Sequence, residues 1–389
     1  MTGKHALVLG ASGITGWAIV RELLTDHADA QRFTTVTALT NRPLPANVAR
    51  WPKSDKLNVV GGIDLLKGSQ EQFQEAFKAG IPQVDTVTHV FFNSYKFSTD
   101  MAQQSRENAT MLERCVTAIE TLSPGFEFIV LPTGGKTYGF HLLDNFPFKD
   151  QLPLKETLPR IPEPHASELF YYWQVDRLKM LSEGKKWTYC EVRPDMVVGF
   201  VPNNNAHCLA QILTIYLSLY AHVNGAGSSV PFPGNDKSWT ILSNDSSQDI
   251  VARFSIHAAL RPGTAGGGRA FNVADRDSPS SWSTKWPVIC SFFGLEGTGP
   301  ATDAPQPGSY IQQHRDAWIR LARDHQLRLE SLDNEMANPG FQKYIMSLFT
   351  FDRTMSLEAM REVGFTEEAD EQSSWFCAFE RFREAKIIP

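Results

Sequence analysis

The first apolar run of this chain leads directly into a glycine-rich turn, which is followed by an amphipathic stretch. Residues 6–9 predict a buried strand and residues 17–24 predict a helix. Between them, the first glycine permits a sharp turn, the second lets backbone approach a pyrophosphate, and the third lets helix pack closely on strand. The amide groups at the helix N-terminus would then face the phosphates of a dinucleotide. The residues expected at this cofactor are Gly10, Ser12, Gly13, Ile14 and Gly16.

The second predicted strand indicates which dinucleotide is bound. Residues 34–39 form this strand, and an Asp or Glu at its end would bind the ribose hydroxyls of NAD. Here no acid ends the strand, and Arg42 follows it with a guanidinium that suits a 2′-phosphate. The sequence therefore favours NADP(H), although a solvated surface arginine would give the same pattern. The residues expected at the adenosine end are Asn41, Arg42 and Asp64.

The overall composition argues against several classes of partner. The chain of 389 residues has a net charge of −6 and no basic cluster, and so lacks an electrostatic footprint for nucleic acid. Because the first apolar stretch leads into the glycine turn, we expect no secretory signal. The most apolar later run, residues 209–223, is too short to span a bilayer and contains Gln211 and His222. We expect a cytoplasmic protein without nucleic-acid or membrane partners, and the sequence leaves open whether it forms a homodimer.

The cysteines and histidines show neither disulfide nor metal-ligand spacing. The ten histidines include no HExxH motif, and no cysteine belongs to a CxxC pair. Small buried thiols are the simplest interpretation. We therefore expect no metal site. The cysteines are Cys115, Cys190, Cys208, Cys290 and Cys377.

Strand and helix patterns alternate through the first half of the chain. Short apolar runs that alternate with helices predict an α/β fold, a doubly wound parallel sheet of the Rossmann type. Beyond Pro194 helical patterns dominate, and the segment 297–308 has the composition of a linker. We predict an NADP-binding Rossmann domain over residues 1–200 and a mainly helical substrate-binding region over 201–389, with some segments returning to the Rossmann core. The predicted strands are residues 6–9, 34–39, 57–60, 86–92, 127–131 and 188–192.

The chain lacks the catalytic pair that is usual for short-chain dehydrogenases. Its GxxGxxG spacing is typical of these enzymes, which carry Tyr-x-x-x-Lys, yet none of its nine tyrosines has a lysine four residues later. Lys136, just past the fifth predicted strand, supplies an amine at the cofactor face. Residues 168–176, at the start of the following helix, supply a phenol. A solvated loop lysine and a core tyrosine are the competing interpretations.

These two segments resemble the progesterone 5β-reductase/iridoid synthase-like (PRISE) family of atypical short-chain dehydrogenases/reductases. Members combine a TGxKxY segment, here residues 133–138, with a later FYY segment, here residues 170–172. The resemblance covers nearly the whole chain, and the sequence is similar to that of a fungal or microbial member. Its other segments are residues 87–92, 107–108, 193–202, 270–273 and 386–389.

The resemblance implies NADPH-dependent reduction of a carbon–carbon double bond conjugated to a carbonyl group. Tyr171 would donate a hydrogen bond to the carbonyl oxygen, and Lys136 would bind the nicotinamide ribose and stabilise the developing charge. Tyr172 and Tyr138 compete with Tyr171 for this role, and core packing is the preferred interpretation for both. The resemblance implies cofactor contacts by Phe91, Thr133, Lys136 and Val197, and substrate contacts by Phe92, Tyr95, Phe140, Tyr172 and Asn203.

Departures from the family pattern leave the substrate open. Gly135 and Thr137 flank the lysine where the family often has Arg and His, Leu169 replaces Asn, and the pocket segments match poorly. We expect a small hydrophobic carbonyl compound of specialised metabolism. A ketone or imine reductase and a non-redox cyclase would use the same scaffold. An NADP-sensing binding protein is a further alternative, but the retained Lys and Tyr argue against it.

Overall fold

A parallel sheet lies at the centre of the computed structural model, which describes residues 3–203, 207–328 and 339–389. Within these residues the strands are β1 Lys4–Leu9, β2 Phe33–Thr40, β3 Leu57–Gly61, β4 His89–Phe92, β5 Phe128–Pro132, β6 Thr188–Pro194, β7 Val197–Val198, β8 Ser229–Phe232, β9 Ser246–Ser247, β10 Arg269–Val273 and β11 Glu296–Pro300. Seven of them form the main sheet, in the order β10-β6-β5-β4-β1-β2-β3. The predicted Rossmann-type fold is confirmed.

The central strand β1 explains why the first apolar run is uninterrupted. Successive side chains of a strand point to opposite faces of the sheet. Ala6 and Val8 pack into the core on one face, Leu7 and Leu9 pack into the core on the other, and all four are fully buried. A parallel sheet covered by helices on both faces requires this continuous apolar run.

Helices cover both faces of the sheet. They are α1 Ile14–Leu23, α2 Ala46–Ala49, α3 Gln70–Gly80, α4 Met101–Leu122, α5 His165–Glu168, α6 Phe170–Ser182, α7 Leu209–Asn224, α8 Asp236–Thr240, α9 Gln248–Ala259, α10 Pro262–Ala265, α11 Trp282–Ser291, α12 Pro307–Gln313, α13 Arg315–Asp324, α14 Pro339–Lys343, α15 Glu358–Glu362 and α16 Glu371–Glu384. Helices α1 and α9 pack together on one face, and α3, α4 and α6 pack on the other. None of these helices combines the length and apolar character needed to cross a membrane.

The second half of the chain is mostly helical but contributes strands as well. β10 extends the main sheet by pairing with β6. β11 pairs in parallel with β8, so part of the segment predicted as a linker is a strand. That prediction was wrong because the backbone hydrogen bonds of β11 come from a partner about 70 residues away, which local composition does not reveal.

Candidate active site

The glycine turn after β1 closes tightly against the chain that follows β4. Gly10 has a φ of +70°, and a Cβ on it would lie 2.5 Å from the Asn93 carbonyl oxygen. A Cβ on Gly16 would overlap the Gly10 carbonyl, so α1 approaches the turn only because residue 16 has no side chain. A Cβ on Gly13 would instead lie 3.4 Å from the Gly10 oxygen, in ordinary contact. Gly10 and Gly16 are therefore required by the fold, whereas the position of Gly13 leaves room towards the space beside the turn.

That space is a cavity of about 320 Å³ at the carboxyl ends of the parallel strands. Its walls come from the residues that follow β1, β4, β5 and β6, and from residues 341–349 in the second half of the chain. Ligands of open α/β sheets bind at this edge. The predicted site residues that line the cavity are Gly13, Ile14, Gly16, Phe92, Tyr95, Thr133, Lys136, Phe140, Tyr171 and Val197.

Lys136 projects into the cavity from a 3₁₀ turn, Gly135–Tyr138, that begins shortly after β5. Its side chain is exposed to the cavity, and no described residue forms a hydrogen bond or a salt bridge with its Nζ. Surrounding protein displaces water from the ammonium group, and this desolvation lowers the pKa of Lys136 below its usual 10.5. The amine is therefore available to a ligand.

Gly135 explains one departure from the family pattern. A Cβ at this position would overlap the ring of Phe140, which also lines the cavity. Phe140 therefore occupies the space in which an arginine side chain beside Lys136 would begin. With this position of the Phe140 ring, residue 135 has no room for a side chain.

Tyr171 approaches the same segment from the first turn of α6. A Cβ on Gly134, two residues before Lys136, would lie 3.6 Å from the Tyr171 hydroxyl oxygen. No described residue hydrogen-bonds this hydroxyl. Burial raises the pKa of Tyr171 well above its usual 10, with smaller contributions from Tyr95 and the negative charge of Glu191. The phenol therefore stays protonated at neutral pH and can donate a hydrogen bond into the cavity.

Thr133 is oriented by a buried ion pair beneath the cavity. Its hydroxyl donates to Glu191 Oε1 at 2.6 Å, and Glu191 Oε2 accepts from Arg193 Nη2 at 2.7 Å. Glu191 is only 3% exposed. Because the Thr133 proton is committed to this carboxylate, the hydroxyl oxygen can act towards the cavity as an acceptor.

Asn108 fixes the loop that carries Tyr95. Its side-chain oxygen accepts from the Lys96 backbone amide at 2.9 Å, and its nitrogen donates to the Lys96 carbonyl at 2.8 Å. Asn108 lies fully buried on α4. The amide therefore serves the structure by holding the chain after β4 against this helix.

Several predicted pocket residues lie outside the cavity lining. Phe91 is fully buried in the core, on the sheet face of Phe33. The Tyr172 hydroxyl donates to the Thr137 carbonyl at 2.7 Å and accepts from the Ile161 amide at 3.0 Å. Of the predicted substrate contacts among the described residues, Tyr172 and Asn203 do not reach the lining. The first of the two adjacent tyrosines thus faces the cavity and the second packs inside the protein.

The residues predicted at the adenosine end lie beyond the cavity, near the ends of β2 and β3. Arg42 and Asn41 are exposed, and no described residue forms an ion pair with the Arg42 guanidinium. The loop is held by the Thr40 hydroxyl, which donates to the Arg42 carbonyl at 2.6 Å. Asp64 accepts from the Leu66 amide at 2.9 Å. The Arg42 guanidinium can therefore bind an anion near the ends of β2 and β3.

The lining also contains residues that the sequence did not single out. Gln174 could have been found, because it lies three positions after Tyr171 on the same helix face. Asp195 follows β6 just as Thr133 follows β5, so its position at the strand ends could also have been predicted from the sequence. No sequence signal marked the others. The additional lining residues with polar or aromatic side chains include Asn93, Gln174, Asp195, His207, Phe341, Tyr344 and Phe349.

Comparison with known proteins identifies the family. The model of the PRISE-like Rossmann-fold domain matches residues 6–389. The chain belongs to this family. It is 34% identical to short chain dehydrogenase ausT of Aspergillus calidoustus, across 100% of this chain and 95% of that protein. It is 25% identical to 3-oxo-Delta(4,5)-steroid 5-beta-reductase of Arabidopsis thaliana, across 99% of this chain and 93% of that protein.

Solved structures of more distant proteins share the fold of this PRISE-like chain. The enzyme WbmH of Bordetella bronchiseptica, in complex with NAD+, aligns with a TM-score of 0.59 at 14% identity, over 98% of this chain and 99% of that one. RMD of Pseudomonas aeruginosa, complexed with NADPH, aligns with a TM-score of 0.59 at 13% identity, over 97% of this chain and 99% of that one. At these identities the likeness shows the fold alone.

Proposed function

We propose that this PRISE-like protein is an NADPH-dependent reductase of the C=C bond of an α,β-unsaturated carbonyl compound, a small hydrophobic metabolite. One observation carries the proposal: the phenol of Tyr171 and the amine of Lys136 open into one cavity beside the glycine turn. The name of the Arabidopsis relative, a steroid 5-beta-reductase, supports the same class of reaction, and that of the Aspergillus relative supports a dehydrogenase.

The residues present fit a nicotinamide dinucleotide. Gly13 and Ile14 line the cavity at the start of α1, where no side chain caps the first amides, so these amides can bind a pyrophosphate. Thr133 and Lys136 lie further along the same cavity and can hold the nicotinamide ribose. NADPH, when bound, supplies the hydride that reaches the substrate β-carbon.

The two glycines give a test of this cofactor site. We expect Gly13→Ala to weaken NADP+ binding about tenfold, equivalent to about 1.4 kcal/mol, while Tm stays unchanged, because the new methyl group meets ligand rather than protein. Gly10→Ala should lower Tm as well, since an alanine held at positive φ costs about 1–3 kcal/mol. Calorimetric titration with NADP+ and thermal unfolding measure the two effects. Equal NADP+ affinity of Gly13→Ala and wild type would contradict the assignment.

Tyr171 and Lys136 divide the chemistry between them. As the β-carbon gains hydride, negative charge develops on the substrate carbonyl oxygen, and a preorganised donor aimed at that oxygen lowers the barrier. The Tyr171 hydroxyl is this donor, since burial keeps it protonated. The Lys136 ammonium adds positive charge next to the same oxygen and holds the cofactor ribose. Aromatic side chains in the lining match an apolar substrate.

Arg42 supports NADPH rather than NADH. Its guanidinium lies exposed at the end of β2, where no acid follows the strand. We expect Arg42→Ala to weaken NADPH binding about 10- to 150-fold by removing a charge-assisted hydrogen bond of about 1.5–3 kcal/mol, and to leave NADH binding unchanged. Dissociation constants for both cofactors measure this. Arg50→Ala, which removes another exposed arginine, is the matched control. Parallel losses for NADPH and NADH would argue against a 2′-phosphate contact.

Consumption of NADPH with a panel of substrates tests the reaction. We expect oxidation of NADPH with cinnamaldehyde, which has a conjugated C=C bond, and none with its saturated counterpart 3-phenylpropanal. Oxidation of NADPH by 3-phenylpropanal or by a cyclic imine would instead support the carbonyl or imine reductase. Binding of NADPH without turnover of any enone or enal would support the binding protein.

A further inference from the structure

Tyr344 brings a second phenol to the cavity from the second half of the chain. Helix α14 passes into a wider π-helical turn, Tyr344–Leu348, and π turns within helices occur often at functional sites. Phe341, Tyr344, Ile345 and Phe349 of this segment all line the cavity. They form the wall contributed by the substrate region, away from the glycine turn.

The hydroxyl of Tyr344 is not used by the described part of the protein. No described residue forms a hydrogen bond with it. Three other polar side chains in the lining already bind to protein: Thr133 donates to Glu191, Gln174 donates to the Asn108 carbonyl, and Asp195 accepts from Arg353. The Tyr95 hydroxyl accepts a hydrogen bond from Gln104. Tyr344 is therefore a donor without a described acceptor in a wall that is otherwise largely aromatic.

The surroundings of Tyr344 keep its proton in place and its ring fixed. The ring centroid lies 4.7 Å from that of Phe349, a fully packed neighbour. Burial raises the pKa of Tyr344 to about 12, with a smaller opposing effect of Arg353. At neutral pH the group is a neutral, positioned hydrogen-bond donor. An apolar ligand atom against it would leave this donor unpaired.

We propose that Tyr344 determines specificity by donating a hydrogen bond to a second oxygen of the substrate, so that the protein prefers enones or enals whose apolar body carries an additional hydroxyl or carbonyl group. This inference rests on the proposed function for the first oxygen, which Tyr171 binds. The two phenols come from opposite halves of the chain and face one cavity. Aromatic rings line the space around them, and flat conjugated bodies fit between such rings.

Cinnamaldehyde derivatives test this proposal by turnover. Each of the 2-, 3- and 4-hydroxycinnamaldehydes is compared with the methylcinnamaldehyde substituted at the same ring position. The methyl group is similar in size to the hydroxyl group but neither donates nor accepts a hydrogen bond. We expect one hydroxy isomer to show a kcat/KM about three- to tenfold above its methyl partner, the range of one net hydrogen bond. Tyr344→Phe should remove this preference, so that the kcat/KM of the preferred hydroxy compound falls to that of its methyl partner. The matched control is Tyr220→Phe, because the Tyr220 hydroxyl donates to the Ser229 carbonyl outside the cavity.

Binding of the saturated 3-phenylpropanals to the NADP+-loaded protein tests the same contact without turnover. Calorimetry should show the same hydroxy-over-methyl preference in wild type and its loss in Tyr344→Phe. Three results would overturn the inference: no preference for any hydroxy isomer in wild type, a preference that survives in Tyr344→Phe, or equal losses for hydroxy and methyl compounds. A preference that depends on Tyr344, without reduction of any cinnamaldehyde, would uphold the second-oxygen contact and refute the reductase.

Discussion

Replacing Tyr171 with phenylalanine is expected to lower kcat for enal reduction about 100- to 1000-fold, the usual effect of removing one donor to a developing oxyanion. The ring and its contact with Phe170 remain, and the hydroxyl makes no hydrogen bond with any described residue, so folding should be unaffected. Steady-state kinetics with cinnamaldehyde measure the loss of kcat, and titration with NADP+ measures cofactor binding. NADP+ affinity should stay at the wild-type value.

Tyr172→Phe is the matched control, because it makes the same chemical change one residue along the helix. Its hydroxyl bonds to the Thr137 carbonyl and the Ile161 amide inside the protein. We expect this variant to lose about 1 kcal/mol of unfolding free energy per lost hydrogen bond and to keep kcat within a few-fold of wild type. A larger loss of kcat in Tyr172→Phe than in Tyr171→Phe would reverse the roles of the two tyrosines.

Replacing Lys136 with methionine is expected to reduce kcat/KM about 100-fold or more, since it removes the positive charge next to the developing enolate. Methionine preserves most of the length and apolar bulk of the side chain. Lys136→Arg keeps a positive charge and should retain more activity. Kinetics of the three proteins with cinnamaldehyde at saturating NADPH give the comparison.

The pH dependence follows from the same lysine. The active form is the ammonium, which loses its proton as pH rises through a pKa lowered below 10.5 by desolvation. The pKa of Tyr171 is raised above 10, so its phenol remains protonated over this range. kcat/KM should therefore fall on the alkaline side below pH 10.5, and Lys136→Arg should abolish that fall, because a guanidinium stays charged. An alkaline fall that persists in Lys136→Arg would assign it to another group.

The nucleotide half of the fold could be predicted from sequence because its signals are local. Strands β1, β4 and β5 are almost entirely buried and are mostly apolar, and the predicted ends of all six strands from β1 to β6 lie within three residues of the observed ones. Gly10 and Gly16 were recognisable because no other residue fits their positions. The positive φ of Gly10 and the overlap of a Gly16 Cβ with the Gly10 carbonyl are local constraints, and such constraints can be recognised in the sequence.

The second half was less predictable because its elements depend on distant partners. β11 is a strand only through its pairing with β8, and β10 extends the sheet at β6. Tyr344 reaches the cavity because the chain returns to the strand ends long after the Rossmann elements. No local periodicity marks such a return.

Adjacent residues posed a different problem. Tyr171 and Tyr172 are separated by about 100° around α6, so only one can face the cavity. The family motif indicated the first of them, whereas composition and periodicity treat both alike. Phe91 and Phe92 divide in the same way between core and cavity, because neighbours on a strand point to opposite faces.

Transfer of deuterium from NADPH labelled at nicotinamide C4 tests the proposed chemistry most directly. Product analysis with cinnamaldehyde should find deuterium on the β-carbon of 3-phenylpropanal, and the yield should collapse in Tyr171→Phe. Deuterium on the carbinol carbon of cinnamyl alcohol, or a labelled product formed equally well without the Tyr171 hydroxyl, would contradict the account.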